Sequence, residues 1–454
     1  MNFIATYWYV PILLLIFITG IIYTIKLKGI QFRRLGLSLK LMFKPSNEGA
    51  GEVSVFQALC ISLSATIGTG NIIGVSTSLA IGGAGSLFWM FIFALVGLAT
   101  KYAEGYLAIR YRKMNDDGEV IGGPFAYIEY GMGKKFKPLA KIFAFLAAVC
   151  AVMGMGTMTQ SNGIVDGLNI IFKPTSYFTI FNNQVSLLAI VAGLIVTVLS
   201  GIILFGGLKR ISIVCEKIVP FMAILYISTC LIIITLNIKE VPNAFVTIFK
   251  MAFTSKSIIG GVAGYSVLKA ITTGAQKGIF ANEAGLGSTP IALATSKTTN
   301  PAHEGLVSMG AMVVTMAICL ITGLVVIVTN VWTLPLEGVY ITNQAFIEGL
   351  AFNELFSSIL LIVCLSTFAF TSMIGWCVYG EKSVVYLTNN NKIMRKIYIL
   401  IYVLSIFFGA LLKVDLIWNL ADIFNGLMAI PNLIALIALS KIVKEESIKE
   451  LNLE

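Results

Sequence analysis

Residues 64–77, Ser-Ala-Thr-Ile-Gly-Thr-Gly-Asn-Ile-Ile-Gly-Val-Ser-Thr, put glycines and hydroxyls inside an apolar stretch long enough to cross a membrane. In hydrocarbon a helix keeps its backbone paired, so groups freed around Gly68 and Gly70 are tolerable only where they line a cavity and meet another partner. A solute or an ion is the expected partner. A second break lies at Gly278, Asn282-Glu283-Ala284-Gly285-Leu286-Gly287-Ser288 and Pro290. Two matched interrupted spans point to a secondary transporter with its site near the bilayer centre.

Composition places the whole chain in lipid. It is 57% hydrophobic and 12% charged, with a mean hydropathy of +0.90, far too apolar for a soluble protein of this length. Apolar runs recur at the roughly 20 residues a helix needs to cross the bilayer, without the strict alternation of barrel strands. The first run, 8–26, has no basic residue before Tyr7 and no small-residue cleavage site, and reads as a retained span rather than a secretory signal. All seven cysteines fall within apolar runs and read as reduced, structural thiols.

The net charge of +10 does not point to nucleic acid, because the basic residues gather in alternate loops. They cluster at Lys26–Lys44, Arg110–Lys137, Lys209–Lys217, Lys392–Lys396 and Lys441–Lys449. This positive-inside pattern marks those loops as cytoplasmic and predicts a plasma-membrane protein with its N-terminus outside and its C-terminus inside.

The expected fold is an all-α polytopic membrane protein of about 11 helices, at 8–26, 53–80, 85–110, 138–168, 185–206, 214–236, 262–296, 304–330, 352–386, 395–412 and 417–440. No loop is large enough for a soluble domain. Setting aside 8–26 leaves a first repeat of five helices (53–236) and a second (262–440), followed by a cytoplasmic tail at 441–454. Each repeat begins on a broken helix, and because five is odd the second must run inverted, so the breaks can meet near the midplane. The 110–137 loop suits a short interfacial helix, and 241–259 and 332–349 suit partial helices over the outer face, with plain connections as the alternative.

At the first break, a half-helix beginning near Thr69, Gly70 and Asn71 aims N–H groups and a positive dipole end at the cavity, which suits a carboxylate. The preceding half-helix, ending around Ser64 to Ile67, offers carbonyls and a negative dipole end, which suits sodium. The competing reading of the glycines is tight helix packing; a dinucleotide fingerprint is excluded by spacing and context. At the second break, Glu283 beside Asn282 is an intramembrane carboxylate, either a coupling group or a structural acceptor for freed N–H groups. Phe280 caps a small cavity, whereas Lys269 and Lys277 snorkel or pair. Thr367 and Thr371 share a face on the 352–386 helix, as do Ser372 and Trp376. These hydroxyls either complete an oxygen shell for a cation or bond to their own backbone. Gln160, on the polar face Gln160-Ser161-Asn162, reads as a substrate contact or a helix-packing contact. Glu104, Asp166, Glu216, Glu304, Glu381 and Asp422 read mostly as gate or interface partners. The lone histidine, His303, sits in a loop, which argues against a His-ligated metal or a buried-His protease.

Ala65-Thr66-Ile67-Gly68-Thr69-Gly70-Asn71-Ile72-Ile73-Gly74-Val75, Ala99-Thr100-Lys101-Tyr102-Ala103-Glu104, Gly122-Gly123-Pro124, Asn282-Glu283-Ala284-Gly285-Leu286-Gly287-Ser288 and Asn425-Gly426-Leu427-Met428-Ala429-Ile430-Pro431-Asn432 occur in this order over nearly the whole chain. Together they resemble the alanine or glycine:cation symporter family. The resemblance implies a leucine-transporter-like 5+5 inverted repeat with one extra N-terminal helix, importing alanine or glycine with sodium and needing no cofactor. It implies a pocket of Thr69, Gly70, Asn71, Gln160, Phe280, Ser372 and Trp376. By fold analogy it implies a sodium site of Ser64 and Ile67 carbonyls with Thr371 and Ser372 hydroxyls. Ser372 stands in both sets; relatives often carry Thr there, and Gly-Asn-Met where this chain has Gly156-Thr157-Met158. The rival functions are a proton-coupled symporter or exchanger with Glu283 as carrier, and a non-transporting amino-acid sensor. An enzyme lacks a nucleophile–base pair here.

Overall fold

A computed structural model describes residues 2–43, 49–180, 183–254, 267–412 and 414–453. It is built almost entirely of helices. Helix α1 (Asn2–Lys26) leads through the short α2 (Ile30–Arg33) and α3 (Leu35–Met42) to α4 (Val55–Thr66) and α5 (Val75–Gly82), which are bent by 50° across the first break. Then follow α6 (Gly85–Arg110), the one-turn α7 (Pro124–Ala126), α8 (Lys137–Met153), α9 (Met158–Phe172), α10 (Leu187–Leu204), α11 (Gly207–Leu236) and α12 (Val241–Phe253). The remainder is α13 (Val267–Asn282), α14 (Thr289–Leu293), α15 (Pro301–Val328), α16 (Val339–Leu350), α17 (Glu354–Leu387), α18 (Lys392–Leu411) and α19 (Val414–Glu450). Among the described residues nine helical segments are long and apolar enough to cross a membrane, and the bent pair α4 and α5 makes a tenth. The expected seventh span is seen from Val267 onward, as α13 and α14; residues 255–266, where it begins and where the outer segment 241–259 ends, lie outside the described residues.

Packing follows chain order in a regular way. Helix α6 packs on α15, α8 and α9 pack on α17, and α10 packs on α18. Each of these helices therefore lies against the one five spans later, whereas α11 packs mainly on α4, α17 and α15. The outer segments form α12 and α16, and the 110–137 loop forms a two-stranded hairpin (Lys113–Met114 with Val120–Ile121) before α7.

One local expectation differs from the structure, and a second observation adds to the reading of the tail without contradicting it. The span 138–168 is split at Gly154–Thr157, because carbonyls there have gone to side chains: Met155 O accepts from Gln160 Nε2 at 2.9 Å and Gly156 O from Tyr402 OH at 2.9 Å. The tail beyond residue 440 is helical and docked, not a free end. Ser447 Oγ pairs with Tyr102 OH at 2.8 Å, and Glu446 takes Tyr106 OH at 2.6 Å and Arg110 at 3.0 Å.

Candidate functional site

The ladder of α4 ends where Ile67 N–H donates to Leu63 O at 2.8 Å. The next two N–H groups leave their helical acceptors for side chains. Gly68 N–H donates to Asn71 Oδ1 and Thr69 N–H to Gln160 Oε1, each at 3.0 Å. Their i−4 carbonyls, on Ser64 and Ala65, are thereby released, and Ala65 O accepts from Ser372 Oγ at 3.1 Å. The chain then re-enters helix through a wide turn, Gly70–Gly74. This is the arrangement a break needs in a dry interior, with both freed N–H groups and the Ala65 carbonyl on side-chain partners.

Packing brings the expected pocket residues together. A Cβ on Gly68 would lie 2.9 Å from Gln160 Oε1 and 3.0 Å from Ser372 Oγ, and one on Gly70 would lie 2.8 Å from Phe280 Cδ1. Trp376 is fully buried, with its Cβ against Gly156, and its ring meets Tyr379 edge-on at 5.2 Å. Asn71 Nδ2 lies 3.4 Å from Ala281 O and 3.3 Å from Cys319 Sγ, joining the first break to α13 and α15.

The expected cation ligands are close but differently engaged. Ser64 Oγ donates to Ile61 O at 2.7 Å and lies 3.4 Å from Cys215 Sγ. Thr371 Oγ1 lies 3.0 Å from Thr367 O and 3.1 Å from Phe368 O, so its proton serves its own helix while its lone pairs stay available. Ser372 alone of the two hydroxyls on α17 reaches across to the break. Thr367 bonds only to its own helix, at Val363 O and Cys364 O.

At the second break the backbone turns through left-handed conformations at Glu283, Gly285 and Gly287 (φ +54°, +82° and +79°). Side chains satisfy what the turn exposes. Asn282 Oδ1 accepts Ala284 N–H at 2.9 Å, Glu104 Oε1 accepts Gly287 N–H at 3.1 Å, and Asn432 Nδ2 donates to Gly285 O at 3.0 Å. Glu283 Oε2 accepts from Ser288 Oγ at 2.5 Å. Glu104, read from sequence as a gate or interface partner, is thus fully buried and holds the second break itself. Lys277 pairs with Asp422 at 3.6 Å and lies over the Trp418 ring at 4.9 Å, beside Phe280. The sequence reading missed Tyr402, Cys319 and Asn432 as site neighbours. Asn432 was visible only within its motif, with no local signal for its role.

The chain resembles known proteins over nearly its whole length. Residues 1–450 match the model of the sodium:alanine symporter family. An uncharacterized transporter of Haemophilus influenzae is 45% identical over 97% of this chain and 93% of its own length. The sodium/alanine symporter AgcS of Methanococcus maripaludis is 39% identical (97% and 94% covered), and the probable sodium/glutamine symporter GlnT of Bacillus subtilis is 35% identical (96% and 87% covered). A family match over residues 1–450, with a relative 45% identical along nearly the whole chain, leaves one assignment: this chain belongs to the sodium:alanine symporter family.

Proposed function

We propose that the chain imports a small neutral amino acid, alanine foremost and glycine beside it, with sodium, by alternating access around the first break. As a member of its family it is a multi-pass membrane transporter and not an enzyme. The observation that carries the finer reading is the pair of N–H groups on Gly68 and Thr69, capped by the neutral amide oxygens of Asn71 and Gln160. A substrate carboxylate offers the same acceptors with a full negative charge, so it can displace both amides at the opening of a half-helix. The released amides, with Ser372, then face the ammonium and carboxylate of the solute. Phe280 packed against Gly70 supports a short side chain.

Sodium fits the carbonyl released at Ser64, that of Ile67, and the hydroxyls of Thr371 and Ser372. The Methanococcus relative's name pairs sodium with alanine, in keeping with this choice. One cation moving down about 100 mV supplies roughly 2.3 kcal/mol. At about 1.4 kcal/mol per tenfold ratio this supports on the order of a 40-fold gradient of a zwitterion. The five-spans-apart packing of α6 on α15, α8–α9 on α17 and α10 on α18 supports an inverted repeat of 53–236 and 262–440. The basic loops support a plasma-membrane topology with the N-terminus outside and the C-terminus inside.

A proton-coupled reading is favoured by Glu283 Oε1, a buried oxygen with no hydrogen-bond partner among the described residues. The experiment that separates the two is alanine uptake into liposomes holding the purified protein, under an inward sodium gradient or an equal potassium gradient at fixed pH and potential. Accumulation with sodium alone is the expected result. Uptake that ignores sodium and follows a pH gradient would transfer coupling to Glu283, and no uptake under either would remove alanine as the substrate.

A further inference from the structure

The second break holds a charge that neither the solute site nor the proposed sodium site uses. Lys101, on α6, is 2% exposed, and its ammonium donates to Thr289 Oγ1 at the start of α14. Thr289 Oγ1 in turn lies 3.5 Å from Glu283 Oε2, in the break, and Glu104 stands one turn from Lys101 on the same face of α6. Glu104 Oε1 is held by Gly287 N–H at 3.1 Å and Asn432 Nδ2 at 2.8 Å, and Glu283 Oε2 by Ser288 Oγ at 2.5 Å. Their second oxygens, Glu104 Oε2 and Glu283 Oε1, have no hydrogen-bond partner among the described residues, nor do Ser62 Oγ, Trp376 Nε1 and Tyr379 OH. Trp376 faces Glu283, and Tyr379 faces Thr289 and Ser62. The cluster therefore links both breaks and α17 through buried polar atoms that remain to be satisfied.

Carboxylates and hydroxyls gathered at an unwound helix are an acceptor set of the kind that draws a cation from solution. Here a cation is already present, covalently tethered. We propose that Lys101 is the resident cation of the second break: its ammonium stands where a solution cation would otherwise bind among Glu104, Glu283 and Thr289, and keeps both carboxylates charged through the cycle. Because it cannot leave, it contributes nothing to ion flux and confines coupling to the first break. Like charge also repels a second mobile cation from the cluster.

The other titratable groups around the cluster are neutral near pH 7 or engaged elsewhere. Tyr23 OH bonds Leu436 O at 2.6 Å, Tyr127 OH bonds Asn432 Oδ1, and Cys150 Sγ bonds Asn425 Oδ1 at 2.9 Å. Tyr379 is a neutral phenol, Asp422 of α19 pairs with Lys277 at 3.6 Å, and Glu304 of α15, on which Arg112 acts, is buried with neither oxygen hydrogen-bonded among the described residues.

The proposal rests on the chain's being a cation-coupled transporter, and its test compares K101M with the wild type by uptake in liposomes and by thermal unfolding of the purified protein. With Lys101 neutral, the two carboxylates need a cation from solution. Uptake by K101M should depend on sodium with a Hill coefficient about one greater than wild type, or acquire a stimulation by acid that wild type lacks. The melting temperature of K101M should rise with sodium or with acid more than that of wild type. The double variant K101M/E283Q carries the wild-type cluster charge and should lose the added requirement. A folded K101M with wild-type sodium and pH profiles in both assays would overturn the proposal. So would a double variant no closer to wild type than K101M. Should K101M not fold, the double variant is expected to fold, and its failure also overturns the proposal. Wild-type uptake indifferent to sodium would strike only the sodium reading, since the pH and melting comparisons still decide the role of Lys101.

Discussion

Gln160 spends both ends of its amide on freed backbone: Oε1 takes Thr69 N–H at 3.0 Å and Nε2 reaches Met155 O at 2.9 Å. Such a residue is either a cap that gives way to substrate or a cross-brace between helices. Gln160→Ala distinguishes them. Loss of the amide is expected to weaken alanine binding by more than tenfold, about 1.4 kcal/mol, besides any melting temperature lost through Thr69 N–H and Met155 O, the two backbone groups it serves. Isotope binding on the purified variant measures it, and wild-type affinity in a folded protein would remove Gln160 from the site. At this scale the sequence was readable where chemistry is rare in lipid, as at Asn71, Gln160 and Glu283. It was silent on Cys319 and Tyr402, whose residue types are ordinary in membrane helices and which matter only through what packs beside them.

The second break is the element whose integrity rests on a distant partner. Gly287 has φ +79°, and a Cβ there would lie 2.7 Å from Pro124 Cγ and 2.8 Å from Asn432 Cγ, so both conformation and space require glycine. Asn432 Nδ2 serves Gly285 O and Glu104 Oε1 together. Asn432→Leu keeps the volume but takes away the partner of Gly285 O and of the Tyr127 hydroxyl, leaving Glu104 Oε1 with Gly287 N–H, at roughly 1–3 kcal/mol for each group left unpaired in a dry interior. The expected outcome is a melting temperature lowered by several degrees, with uptake lost, and an unchanged melting curve would refute the bracing role. The glycines and Pro290 made this break visible in sequence. The break at Gly154–Thr157 was not foreseen, because Gly-x-Gly beside a polar face equally describes tight helix packing, and the pull comes from Tyr402, far along the chain.

Across the whole molecule, the segment before α4 is clasped to the segment after α14. Glu52 N–H donates to Thr295 O at 2.8 Å, Lys297 N–H to Val53 O at 2.8 Å, and Lys382 Nζ pairs with Glu52 at 2.6 Å. Arg112 binds the carbonyls of Ala294, Ser296 and Thr298. Beside the clasp lies a cleft of about 500 Å³ lined by Glu52, Ser54, Gln57, Lys209 and Lys297. On the alternating-access reading proposed above, opening toward the face that carries the basic loops would part this clasp. Lys382→Met removes the cation from Glu52, which keeps the Val120 N–H at 2.8 Å, and should favour opening there, raising the rate at which a maleimide labels the buried Cys60 and Cys215 severalfold; an unchanged rate would place the gate elsewhere. Apolar run length, charge asymmetry and two glycine-rich interruptions settled, from the sequence alone, that the chain crosses the membrane many times and carries two broken helices, since those properties follow from local hydrophobicity and backbone freedom. Which side chains cap the freed N–H groups, that Glu104 rather than a nearby residue holds the second break, and that Lys101 lies buried with its ammonium on Thr289 emerge only on folding. Their partners are brought together by packing between helices far apart in the chain, and the interactions that fix them are decided by distance and desolvation, which no local pattern of residues records.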